Sequence, residues 1–167
     1  QKNNLTHLKK ISLLSSREKM LLDTCTLKNL EITKNLRDNT SRGTLLSILD
    51  QTITAMGSRL IRKWIKEPLL NRREIEERLN ALESLNQKVI LREEIISLLK
   101  GIYDLERLIG RVNYGNANPR DLLALKCSLQ QIPLLKEKLE RVISVSSNPN
   151  NLLSWIQAIS DLQETAL

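Results

Sequence analysis

Gly43 to Leu70 reads GTLLSILDQTITAMGSRLIRKWIKEPLL, two short amphipathic helices joined by a turn, the second stopped by a proline. The spacing predicts the first over Thr44 to Asp50, with Leu45, Leu46 and Leu49 inward, and the second over Gly57 to Glu67. In the second, Leu60, Ile61, Trp64 and Ile65 share one face, the pattern of a stripe that anchors a helix on a core. Arg59, Arg62, Lys63 and Lys66 recur one helical turn apart on the opposite face. Pro68 disfavours a helical residue before it and offers no N–H, so the helix ends at Glu67. An apolar face for packing and a basic face for solvent describe a surface helix of a larger, basic, helical assembly.

The helical period continues beyond this stretch. Asn71 is a helix cap with Glu74 at the capping-box position, and Ile75, Leu79, Leu82 and Leu85 form the expected buried face. Val89 to Lys100 is the next helix, closed by Gly101. Asp104 opens another, with Leu105, Leu108, Ile109 and Val112 on one stripe. Asn118-Pro119 marks a further start, a capping Asn followed by proline at the first helical position. That helix points Leu122, Leu125 and Leu129 inward, and Pro133 is expected to break or kink it before a segment from Leu134 to Ile143. After a loop from Ser144 to Asn151, Leu152, Ile156, Ile159 and Leu162 mark a last helix.

Towards the N-terminus the signals are weaker. Residues 1–19 have little period. Met20–Leu22 and Leu30–Ile32 are candidate short strands about a turn, in which Asp23 caps and Asn29 tolerates a left-handed exit. A polar loop runs from Thr33 to Arg42. The fold class expected is all-α, a multi-helix bundle of short and medium helices, with room for a small β-hairpin near the N-terminus.

Composition narrows the function classes. The 167 residues suffice for one domain with a core, and 41% apolar with 27% charged residues argues against a disordered chain. No apolar run approaches the length of a membrane span. The net charge of +7 suggests a polyanion nearby, yet 26 basic and 19 acidic residues are interspersed as on a solvated helical surface. Cys25 and Cys127 belong to no paired motif and read as packed free thiols in a reducing, cytoplasmic setting. The chain begins with Gln and ends within a helical pattern, as expected of a piece of a longer protein. The face of Leu152, Ile156, Ile159 and Leu162 would then lack cover and be buried by self-association.

Little supports catalysis. His7, the lone imidazole, has no partner implied by spacing, and clustered metal ligands are missing, so no catalytic or metal residues are assigned. Asp104, Glu106, Arg107 and Arg111 are the densest ionisable group; paired acids are one reading, a helix cap with surface charges the favoured one. Arg59, Arg62, Lys63 and Lys66 are the best candidates for a ligand, as a row that phosphates would attract. Solvation or packing against another domain is the plainer role for that row. Four aromatics, Trp64, Tyr103, Tyr114 and Trp155, cannot build a stacking platform for single strands.

Five blocks occur in order: MLLDTCTLKNLEI (Met20 to Ile32), the Gly43–Leu70 stretch, IEERLNALESL (Ile75 to Leu85), DLERLIGRV (Asp104 to Val112) and NPRDLLALKCSL (Asn118 to Leu129). Together they resemble the core domain of the MutS family of DNA mismatch-repair ATPases, and MGSRL resembles its prokaryotic branch. The resemblance covers most of the chain, with residues 20–143 as the core domain and 144–167 as a loop and a truncated helix leading toward a clamp domain. It implies a parent that encircles mismatched double-stranded DNA as a homodimer, binds ATP and Mg, and has a MutL-type repair partner. The core would link the DNA end mechanically to the nucleotide end. The chain has no Phe, hence no mismatch-probing Phe-x-Glu, and none of its five glycines opens a GxxxxGK[ST] loop.

The reading that follows is a non-catalytic core and lever module, in which Leu60, Ile61, Trp64, Ile65, Asp104, Asn118 and Pro119 are structural anchors. Trp64→Ala is expected to cost several kcal/mol, as for a large core residue. The alternative is an independent basic nucleic-acid-binding module, which would bind duplex DNA by itself with a steep salt dependence.

Overall fold

The computed structural model describes residues 19–144 and 150–160. Eight helices follow one another: α1 (Thr24–Asn29), α2 (Leu45–Leu49), α3 (Ala55–Lys66), α4 (Arg72–Asn86), α5 (Val89–Lys100), α6 (Leu105–Asn113), α7 (Pro119–Ser144) and α8 (Asn150–Gln157). The chain is all-α among the described residues. Met20–Leu22 and Leu30–Ile32 do not form the expected hairpin. Asp23 caps α1 by accepting from the Thr26 N–H at 2.6 Å, which turns the intervening residues into helix. The left-handed residue that ends this turn is Glu31, at φ 48°, rather than Asn29. Lys19 instead makes an isolated antiparallel bridge with Leu69, and the Met20 N–H donates to the Pro68 carbonyl at 2.8 Å.

α7 is the organising rod. Its N-terminal half packs on α6, and its C-terminal half on α4, α5 and α8. There Ala81, Ile95, Val142, Ile143 and Ile156 form the main core, flanked by Leu85, Leu91, Leu99, Leu135 and Leu139. Pro133 does not break the helix. The helix runs through it, although Pro133 has no N–H to donate.

Several expected faces are corrected: Leu45 and Leu49 of α2 and Leu122 of α7, expected inward, are exposed. On α4 the buried residues are Ala81 and Ser84, while Ile75, Leu79 and Leu82 are exposed, Leu82 by 63%. The face of α4 that packs is Ala81 and Ser84 with Leu85 beside them, so of the four expected residues Leu85 meets the core and the other three look outward. At the far end, Ile156 is 4% exposed within a single chain, so its burial needs no second copy. Leu162 and the side chain of Leu152 lie outside the described residues.

A smaller core holds the N-terminal part. Ile32 and Leu46 are buried against each other, and the Leu46 N–H donates to the Ile32 carbonyl at 3.0 Å. Thr44, also buried, caps α2: its Oγ1 accepts from the Ser47 N–H and donates to the Ser41 carbonyl. Both cysteines are exposed free thiols, not the packed ones expected.

Candidate functional site

The turn that leads into MGSRL, the first turns of α3, is set residue by residue. α3 begins two residues earlier than its apolar period suggests, because Thr54 caps it by accepting from the Gly57 N–H at 3.1 Å. A Cβ on Gly57 would stand 3.1 Å from Thr54 Oγ1 and 3.3 Å from Thr52 Cβ, too close for comfort. Ser58 Oγ donates to Asp50 Oδ2 at 2.6 Å, and Thr52 Oγ1 donates to the other oxygen at 2.5 Å. These bonds, Ser58 first, hold the Asp50 carboxyl below the ordinary carboxylate range. The Ser58 bond also ties the C-cap of α2 to α3.

Arg59, next in the chain, leaves the solvated row expected of it. Its Nη1 and Nη2 donate to the two carboxylate oxygens of Asp104 at 2.8 and 2.7 Å. Its Nε and Nη2 reach Glu106 Oε2 at 2.9 and 2.5 Å. Asp104 is therefore both the expected cap of α6, accepting from the Arg107 N–H at 3.2 Å, and the anchor for α3. The Arg59 guanidinium holds the Asp104 carboxyl below its usual range against a smaller opposing effect of burial, and Arg59 is itself raised. Glu106, expected to be a plain surface charge, joins the same clamp. Only the D-x-E spacing hinted at this; the arginine that answers it lies in a distant block.

The apolar face of α3 is not sealed. None of its residues is fully buried; Leu60 and Trp64 remain 47% and 38% exposed, with Ile61 and Ile65 half-buried. The expected core anchor is thus a partly open face: α3 packs against α2 and meets α6 and α4 through single side chains, Arg59 and Trp64. The Arg78 guanidinium of α4 sits 3.8 Å from the Trp64 ring centroid, a cation–π contact. Together with Leu60, Lys63 and Leu69 these residues line a cleft of about 180 Å³. Arg62 and Lys63 remain exposed, and Lys66 lines a separate cleft.

Asn118 and Pro119 start α7 as expected. Asn118 Oδ1 accepts from the Asp121 N–H at 2.8 Å, and Asp121 Oδ2 accepts from the Asn118 N–H at 3.1 Å, a reciprocal cap. Arg111 Nη1 adds bonds of 2.8 and 2.9 Å to both Asp121 oxygens, tying α6 to α7. The Asn118 N–H, then Arg111, holds the Asp121 carboxyl below its ordinary value. A contact the sequence did not announce lies nearby: Ser128, fully buried, accepts from the Tyr103 N–H at 3.0 Å and donates to the Ala124 carbonyl. His7 lies outside the described residues. The described residues hold no group of three or more His, Cys, Asp or Glu placed to bind a metal ion.

Among the described residues these contacts join helices to one another. Residues 25–167 match the domain family described as MutS domain III. The chain is 50% identical over 142 residues to the DNA mismatch repair protein MutS of Halothermothrix orenii, covering 85% of this chain and 16% of that protein. It is 44% identical over 164 residues to that of Desulforamulus reducens (98% and 19%) and 47% over 163 to that of Alkaliphilus oremlandii (98% and 18%). The chain thus spans less than a fifth of the length of these curated relatives.

Proposed function

The chain belongs to the MutS family, and we propose that it serves there as a non-catalytic core and lever module, coupling mismatched-DNA binding to the ATPase of the full-length protein. The observation that carries this reading is α7. It is an unbroken helix of 26 residues, about 39 Å long at the standard rise, packed on α6 at one end and on the main core at the other. The Arg59 clamp extends the same body to α3. Capped, packed helices of this kind shift as units and can bias two distant sites through a two-state rearrangement.

In this reading residues 20–143 are the core body, and 144–167 lead toward the clamp. Mismatched double-stranded DNA, a second copy of the full-length protein and a MutL-type repair partner are its working company, in a cytoplasmic setting. ATP and Mg are assigned to the parent; this chain's sequence has no GxxxxGK[ST] loop. No helix among the described residues is long and apolar enough to cross a membrane.

The test belongs in the full-length protein carrying this chain. Leu123→Gly with Gln130→Gly, both at exposed positions of α7, softens the rod by about 1 kcal/mol per site. The expected result is normal DNA binding and normal basal ATP turnover, with the response of turnover to mismatched DNA reduced. Undiminished coupling, or ATP hydrolysis by the 167-residue chain alone, would overturn the proposal.

A further inference from the structure

A second cluster of cations forms from segments far apart in the chain. Lys28 near the end of α1, Lys34 in the loop after it and Lys66 in the last turn of α3 line one cleft of about 260 Å³. Thr24, Thr33 and Asn39 contribute neutral polar groups to its wall. Among the described residues the three ammonium groups have no ion-pair or hydrogen-bond partner, and no carboxylate lines the cleft. The acids nearest in sequence are engaged elsewhere: Asp23 by the Thr26 N–H, Glu31 by the Leu36 N–H at 2.6 Å, and Asp38 by Thr40.

The wall that carries Lys34 and Asn39 is braced. Asn35 Nδ2 donates to Thr40 Oγ1 and to the Arg42 carbonyl, while its Oδ1 accepts from the Asp38 N–H. Three like charges brought to one braced concavity repel one another, and an anion placed among them removes that cost. We infer that this cleft is a binding site for a phosphate group. Lysines act as mobile point charges toward a tetrahedral oxyanion, and the threonine hydroxyls and the Asn39 amide add neutral donors. The volume suits one phosphate and a little of what carries it, below the usual range for drug-sized ligands. Two sources share this chemistry, free inorganic phosphate and the phosphodiester of a nucleic-acid backbone. The site stands apart from the lever role and survives or fails without it.

The experiment uses the full chain in three forms: unaltered, Lys34→Gln with Lys66→Gln, and Lys100→Gln as a control at an exposed lysine outside the cleft. Circular dichroism verifies that all three fold. One arm titrates inorganic phosphate by calorimetry; the other titrates a short, fully paired duplex by fluorescence anisotropy at about 50 and 200 mM salt. Saturable binding in either arm, weakened about tenfold or more by the double substitution and unchanged by Lys100→Gln, supports the site. If the duplex is the tighter ligand, the backbone is the source, and the double substitution reduces the salt slope by about two. If phosphate is the tighter, the site takes a small anion. Absence of binding in both arms, or equal loss in the control, overturns the inference.

Discussion

Arg59 on α3 and Asp104 at the head of α6 are joined by two parallel hydrogen bonds of 2.7 and 2.8 Å, across 45 positions of sequence. The pair makes the N-terminal helices part of the same body as the rod. It also fastens α3 by its charged edge rather than by its apolar stripe.

Asp104→Asn keeps a capping oxygen for α6 but removes the charge that Arg59 holds. The Asp104 carboxyl is depressed in the folded chain, so its stabilisation is present above the ordinary carboxylate pKa of about 4 and lost as pH falls through the lower folded value. The variant should melt below the unaltered chain at pH 7, and the two melting curves should converge as the solution is acidified below that range. Thermal scans at a series of pH values would show it. A gap that stays constant with pH would mean the ion pair contributes nothing.

Ser128→Ala removes the buried hydroxyl that accepts from the Tyr103 N–H. A hydrogen bond of this kind contributes about 0.5–1.5 kcal/mol. Urea unfolding should show a lower midpoint with an unchanged slope.

Ile95 belongs to the main core, whereas Trp64 lies on a partly open face and rests on Arg78. Ile95→Ala should therefore cost about 2–5 kcal/mol. Trp64→Ala should cost about 1–2, from partial burial and the cation–π contact. Chemical denaturation followed by circular dichroism compares them. Equal losses would place Trp64 in a core after all.

Pro133 lies within α7 and gives up an intrahelical hydrogen bond. Pro133→Ala should stabilise the chain by about 1–3 kcal/mol, read as a raised denaturation midpoint, because alanine restores the bond and the propensity. A neutral or destabilising result would mean the backbone around Pro133 is bent to accommodate the ring.

The caps of α3, α4, α6 and α7 show how far a reading of the chain reaches. Asn71, Asp104 and Asn118 stand where capping rules put them, since the bonds concerned close within three residues. Gly101 ends α5 for the same local reason. Thr54 is harder to read from the chain, because the apolar period of α3 begins after it. Met20–Leu22 and Leu30–Ile32 do not pair because apolar runs of three residues carry no decisive period, and the Asp23 cap turns the residues between them into helix.

Periodicity says that a helix has an apolar face, not what will cover it. Ile75, Leu79 and Leu82 are on such a face and look outward, while Ala81 and Ser84 are buried with Leu85 packed beside them. The clamp of Arg59 with Asp104 and Glu106, and the meeting of Lys28, Lys34 and Lys66, are of the same kind. Helix type, length and capping follow from interactions between near neighbours in the chain and are written there. Which charges cancel and which are left to gather depends on how whole helices are placed, and that is settled only when they pack.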